Sequence, residues 1–319
     1  MKMTRTARIA ALLLAGFGSA VIGLAATARA ADPASCKVVK MTNPGWSDIA
    51  STNAMAGTVL KALGYEQKID TLSVPITYQA LKNHQINVFL GNWMPAQTKL
   101  VTPFLKTGAI KVVQTNLQGV KFTLAVPSYV SAAGVATFAD LEAHAKQFGR
   151  KIYGIEPGAP ANANIRRMLD AHAFGLTGWK LVSSSEQGML AQVKRAVARH
   201  QWIVFLAWEP HPMNTMFKLT YLSGGHAYFG PHYGAATIYT VASKGYLSHC
   251  PNLRRLFSQM RFTVTAENTI MASIAKGAKA DKAAADYLRA HPALVTPWLA
   301  GVTTLSGANG QKAVMTALK

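Results

Sequence analysis

Three of the six tryptophans in the chain, Trp46, Trp93 and Trp208, stand where an apolar strand pattern has just ended, each with proline or glycine within two residues. A tryptophan used for packing belongs inside an element, where its indole is surrounded. Three indoles at strand ends offer ring faces instead. Several such faces together hold a cation that has no hydrogen to donate, such as trimethylammonium, and each contributes roughly 1 to 2 kcal/mol once water is excluded. Asp48, two residues after Trp46 at the start of a helical pattern, is the acid placed to meet the rest of such a ligand, with an ordinary helix-start role as its alternative. Glu209, directly after Trp208, either adds negative potential or forms an ion pair. Trp179, Trp202 and Trp298 fall within strand or helix patterns and read as packing.

Two similar halves position these residues. In the first, strand patterns at Lys37–Met41, Gln67–Leu72 and Ile86–Leu90 alternate with helical patterns at Ser47–Leu63 and Ile76–Asn83. In the second, strands at Lys151–Ile155, Lys180–Ser183 and Trp202–Leu206 alternate with helices at Asn162–Phe174 and Glu186–Arg199. The alternation indicates an α/β protein with mainly parallel sheets flanked by helices. The echo is also literal, because His84, Gln85, Val88, Phe89 and Leu90 recur at the same spacing as His200, Gln201, Val204, Phe205 and Leu206. Ligands of open parallel sheets bind beyond the carboxyl ends of the strands, so two such lobes facing each other form a cleft that the tryptophans line. Lys121–Val126 and Thr237–Val241 are extended stretches expected to run between the halves, and the tail from Cys250 reads as helices returning to the first. The expected division is residues 31–124 with 236–319 as lobe one and 125–235 as lobe two.

The first thirty residues carry Lys2, Arg5 and Arg8, then an uncharged apolar run, then Ala28, Arg29 and Ala30. That order predicts a secretory signal peptide cleaved after Ala30, and so a periplasmic location. The remaining 289 residues keep 29 basic side chains against 13 acids, a net charge of +16. The basic residues are scattered rather than clustered, which argues against a nucleic-acid partner. So few carboxylates suit an acidic environment, because fewer groups must take up protons. Cys36 and Cys250 form an even pair in an exported chain and are expected to be joined by a disulfide; no CxxC spacing points to metal or redox work.

The rival class is an enzyme, such as a hydrolase of choline esters, which would use a similar cage. The chain carries no GxSxG elbow, no HExxH and no glycine-rich phosphate loop. His226 and His232 have no recognised ligand spacing, so no metal and no cofactor is expected.

Gly45-Trp46-Ser47-Asp48, Gly91-Asn92-Trp93-Met94 and Ala207-Trp208-Glu209-Pro210 are motifs at specific spacing. With them the chain resembles the choline- and glycine-betaine-binding proteins of ABC importers, nearest the choline-binding branch, over essentially the whole length after residue 30. The resemblance implies a two-lobed type II periplasmic binding protein with the ligand cleft between its lobes. It implies a monomer that captures a quaternary amine, choline first and glycine betaine or carnitine as alternatives, and delivers it to a membrane permease and ATPase. The aromatic box it implies is Trp46, Trp93, Trp208 and Phe122, the last replacing the branch's usual tyrosine. It further implies that Asp48 fixes the choline hydroxyl, helped by an asparagine in a GNDGN loop. Here that loop reads Gly158-Ala159-Pro160-Ala161-Asn162, so Ala159 replaces one asparagine and Asn162 keeps the other.

Overall fold

The structure is a computed structural model that describes residues 31–319. The expected signal peptide lies outside the described residues. Strands β1 (Val38–Asn43), β2 (Glu66–Thr71) and β3 (Val88–Met94) alternate with helices α1 (Ser47–Ala62) and α2 (Val74–Lys82). After α3 (Thr98–Lys106) comes a long strand, β4 (Ile110–Pro127). The second half repeats the theme with β5 (Lys151–Tyr153), α4 (Pro160–Asp170), β6 (Lys180–Val182), α5 (Glu186–Ala198) and β7 (Val204–Glu209). Strands β8 (Leu219–Tyr221) and β9 (Ala235–Ser243) follow, then α6 (Pro251–Gln259), α7 (Val264–Ala275), α8 (Ala280–Ala290) and α9 (Gly310–Ala317).

The nine strands form one continuous sheet in the order β2-β1-β3-β9-β4-β7-β5-β6, with β8 also on β4. The parallel triplets β2-β1-β3 and β6-β5-β7 have the same topology, which is the structural form of the repeated sequence. Two separate sheets are expected from the pattern of apolar runs; instead β4 carries the hydrogen bonding across. Its first part pairs with β9 as far as Lys121, and from Lys121 onward it pairs with β7. Strand β9 pairs with β4 from Ala235 and lies between β3 and β4 from Thr237 onward, so the chain crosses at Ala235–Ala236, just before the Thr237–Val241 stretch. Gly234, at φ +72°, allows this return, because a Cβ there would collide with the Phe122 carbonyl.

The literal repeat has a local cause. His84 and His200 both adopt positive φ, 57° and 50°, at the end of a helix. The following Gln85 and Gln201 N–H groups each donate back to a helical carbonyl, those of Ala80 and Ala196, at 2.9 Å. This closes α2 and α5 in the same way and launches β3 and β7 at equivalent angles.

The tail returns to the first lobe, where α7, α8 and α9 pack on α1. Cys36 and Cys250 are bonded. Beside them Asp32 accepts from the Asn252 and Leu253 N–H groups at 2.7 and 3.0 Å, satisfying orphan donors at the start of α6.

Candidate functional site

Trp46 is placed by the turn before it. Asn43 Oδ1 accepts from the N–H groups of Gly45 and Trp46 at 2.8 and 2.9 Å, and Gly45 takes φ +100°, a conformation open to glycine. Trp46 then becomes the cap residue of α1, which puts Asp48 in the first helical turn. From the other half, Glu156 accepts the Trp46 indole N–H on both carboxylate oxygens, at 3.0 and 3.1 Å.

Trp93 and Trp208 are the last residue but one of β3 and β7, so the strands run slightly beyond the ends that apolar patterning predicts. Phe122 on β4 stands directly opposite Trp208 on β7, a cross-strand pair presented on one face. Trp93 meets Phe122 edge to face, with ring centroids 6.3 Å apart. The Trp93 indole N–H donates to Asp48 Oδ2 at 3.2 Å. The four rings are only 5–7% exposed.

These residues converge on one cavity between the halves, lined by Trp46, Asp48, Trp93, Phe122 and Trp208 together with Ile155, Leu206 and the start of α4 at Pro160 and Ala161. Five of the residues singled out by sequence therefore meet. Two do not reach it. Asn162, expected to help fix a hydroxyl, is fully buried and its amide is occupied by its own loop. Its Oδ1 accepts from Ile155 N–H at 3.1 Å, and its Nδ2 donates to the Ile155 and Glu156 carbonyls at 2.9 and 3.1 Å. Ala159 is the buried cap of α4 and is likewise absent from the lining. Glu209 pairs with Lys121 at 3.0 Å, so the ion-pair reading holds for it. Trp179, Trp202 and Trp298 pack on other side chains away from the cavity.

Sequence reasoning missed Glu156 and Gln97. Gln97 lines the cavity and is held by Tyr78 and by the Gly91 carbonyl. The available signal was position alone: Gln97 lies four residues past Trp93, and Glu156 is one of few acids and sits beyond a strand of the second half.

Asp48 is 1% exposed, and its Oδ1 has no protein partner. Burial, then repulsion from Glu186, pushes its carboxyl up to about 7. Burial likewise pushes Glu156 up to about 7. Behind α1, Glu267 on α7 is buried with neither oxygen partnered; burial and then the nearby Asp48 raise it well above the usual carboxylate range. A folded carboxyl raised above its unfolded value keeps a proton that the unfolded chain has released, so stability falls as pH rises from about 4 through about 7. The ligand-free protein is therefore expected to melt roughly 5 °C lower at pH 8 than at pH 5, and Glu267→Gln to reduce that difference. Thermal unfolding followed by circular dichroism checks this; a rising melting temperature from pH 5 to pH 8 contradicts it.

Comparison with known proteins places these features. Residues 37–290 match OpuAC, the substrate binding domain of ABC-type glycine betaine transport systems. A solved ABC-transporter choline binding protein in complex with choline is 47% identical, with a TM-score of 0.88 over 90% of this chain and 100% of that one. Lactococcal OpuAC in its closed, glycine-betaine-bound form is 27% identical, with a TM-score of 0.75 over 82% of this chain and 99% of that one. The glycine betaine/carnitine transport binding protein GbuC of Listeria monocytogenes serotype 1/2a (strain 10403S) is 25% identical over 187 residues, 58% of this chain and 61% of that protein.

Proposed function

The chain belongs to the family of substrate binding domains of ABC-type glycine betaine transport systems, and from that premise we propose that it captures choline in the cavity between its lobes and hands it to an importer. The observation that carries the choice of choline is the state of Asp48. One carboxylate oxygen is held by Trp93, and the other is buried with no protein partner beside three indoles and Phe122. The ring faces suit the quaternary ammonium, and the free oxygen suits a hydroxyl a few atoms away. Lobe one, residues 31–124 and 236–319, supplies Trp46, Asp48 and Trp93; lobe two, residues 125–235, supplies Trp208 and the Pro160 loop. Phe122 lies at the crossing. Ligand contacts made by both lobes favour the closed form, which is the form an importer can distinguish from the open one. In this reading a signal peptide ending at Ala30 sends the protein to the periplasm, the membrane partners are a permease and an ATPase, and the cleft binds without catalysing a reaction.

One observation favours a second reading. Pro160 and Ala161 bring the start of α4 to the cavity, and the first N–H groups of a helix have no acceptor within it. Such an end suits a carboxylate, as in glycine betaine or carnitine. The two readings predict opposite pH trends. A cation beside Asp48 favours its ionised form, so choline binding is expected to weaken by up to about tenfold per unit as pH falls below 7. A ligand with its own carboxylate beside Asp48 favours the protonated acid and is expected to bind better at pH 5 than at pH 8. Calorimetry at both pH values with choline, acetylcholine, glycine betaine and carnitine, and arginine as control, tests this. Tight choline binding that strengthens at pH 8 supports the first reading, betaine or carnitine binding that strengthens at pH 5 replaces it with the second, and silence from every quaternary amine removes both.

A further inference from the structure

Helix α1 begins without a side-chain cap of its own, because the bulky Trp46 occupies the cap position. The first N–H groups of such a helix need an acceptor from elsewhere. Glu186, the first residue of α5 on the opposite lobe, supplies it. Its Oε2 accepts the Ser47 N–H at 3.1 Å, and its Oε1 accepts the Ser47 hydroxyl at 2.7 Å. His211 closes the triangle, with Nε2 3.0 Å from Ser47 Oγ and 3.2 Å from Glu186 Oε1. The His211 Nδ1 accepts from the Met213 N–H at 3.0 Å, which leaves Nε2 to carry the proton and donate it to this cluster.

None of the three side chains lines the cavity, yet each is tied to residues that do. Ser47 lies between Trp46 and Asp48 in the chain. The His211 ring packs edge-on against Trp208 with centroids 4.7 Å apart. Glu186 and His211 are both 2% exposed, so a carboxylate and an imidazole are withdrawn from water at a seam between lobes. Taking a carboxylate out of water is costly, and here hydrogen bonds and the positive end of α1 offset that cost only while the lobes stay together.

We propose that Ser47, Glu186 and His211 form a closure latch: positioning residues that join the two walls of the cage through contacts made only in the closed form, and so set how long a ligand stays. This rests on the reading of the cavity as a ligand site. Contacts absent from the open protein do not assist encounter, so the latch acts on dissociation and leaves association alone. It also holds Trp46, Asp48 and Trp208 in register without touching the ligand.

Stopped-flow tryptophan fluorescence with choline measures both rates. Ser47→Ala and Glu186→Gln are expected to raise the dissociation rate about tenfold, the scale of one hydrogen bond to a charged group, with association within about twofold of the parent. Ser47→Thr, which keeps the hydroxyl, is expected to restore slow dissociation. Unchanged dissociation in the folded variants, or a loss confined to association, overturns the latch. If Glu186→Gln does not fold, Ser47→Ala decides, because it removes only a half-buried hydroxyl. If the parent protein binds no quaternary amine, the reading of the cavity fails, and the latch is then tested by small-angle scattering of the ligand-free proteins. A larger radius of gyration for Ser47→Ala supports it, and equal radii overturn it.

Discussion

Replacing Trp93 or Trp208 by alanine is expected to weaken choline binding at least tenfold, with Trp93→Ala the more severe. Each indole removed takes away a ring face worth roughly 1 to 2 kcal/mol to a desolvated cation. Each deletion also lets water into a cavity whose four rings are almost fully covered, and water weakens the attraction that remains. Trp93 does a second task, since its indole N–H holds Asp48 Oδ2. Without that donor a buried carboxylate loses a partner that lowers its pKa, so more of it is protonated near pH 7 and less negative charge meets the cation. Trp93→Phe helps to separate the two effects: it keeps a smaller ring face and removes the N–H, and its affinity is expected to fall between parent and alanine variant, with the part of the deficit due to the lost N–H shrinking above pH 8. Calorimetry supplies the affinities, and far-ultraviolet circular dichroism establishes that each variant is folded. Parent-like affinity in both alanine variants would sink the aromatic cage.

Removing the Cys36–Cys250 bond is expected to cost about 2 to 5 kcal/mol of stability while leaving choline affinity within about twofold. The bond closes a loop of 214 residues, and cross-linking so long a loop restricts the unfolded chain strongly. It also fastens the start of β1 to the start of α6, where Asp32 caps the helix. Affinity is spared because of distance: the disulfide stands before β1 and Trp46 after it, and a strand of six residues puts roughly 20 Å between its ends. Urea unfolding of the Cys36→Ser, Cys250→Ser double variant measures the loss. A stability change under 1 kcal/mol, or an affinity that collapses with the bond, would contradict this account.

The two predictions differ in how far sequence alone supports them. The cysteine pair and the lobe repeat follow from residue types and spacing. Apolar periodicity locates β1, β2, β3, β5, β6 and β7 to within a few residues. For β1, β3, β5 and β7 the reason is burial of side chains whose order is already in the chain, whereas the edge strands β2 and β6 stay partly or largely exposed and are marked by their place in the repeat. Trp46, Trp93 and Trp208 are conspicuous because large rings at strand ends are out of place for packing. Phe122 is different: its pattern is that of any strand residue, and only the family resemblance singles it out. Asn162 misled for the converse reason. Its identity suggests a ligand contact, whereas its position in the first turn of α4, folded back on the segment after β5, commits its amide to the Ile155 and Glu156 backbone.

Glu156, Glu186 and His211 carry no comparable signal. Glu186 follows Ser185 at the start of α5, where an acid is ordinary, and nothing in the chain pairs it with Ser47, 139 positions earlier. What the sequence determined by itself is what depends on neighbours along the chain: the α/β alternation, the repeat, the aromatic supply and the acid beside Trp46. Tertiary structure alone decided which polar groups lose water together, and therefore which acids hold their protons and which side chains join the lobes. Hydrogen bonds and desolvation act over a few ångströms in space, and the partners that join the two halves here, Trp46 with Glu156 and Ser47 with Glu186 and His211, lie more than a hundred residues apart in the chain.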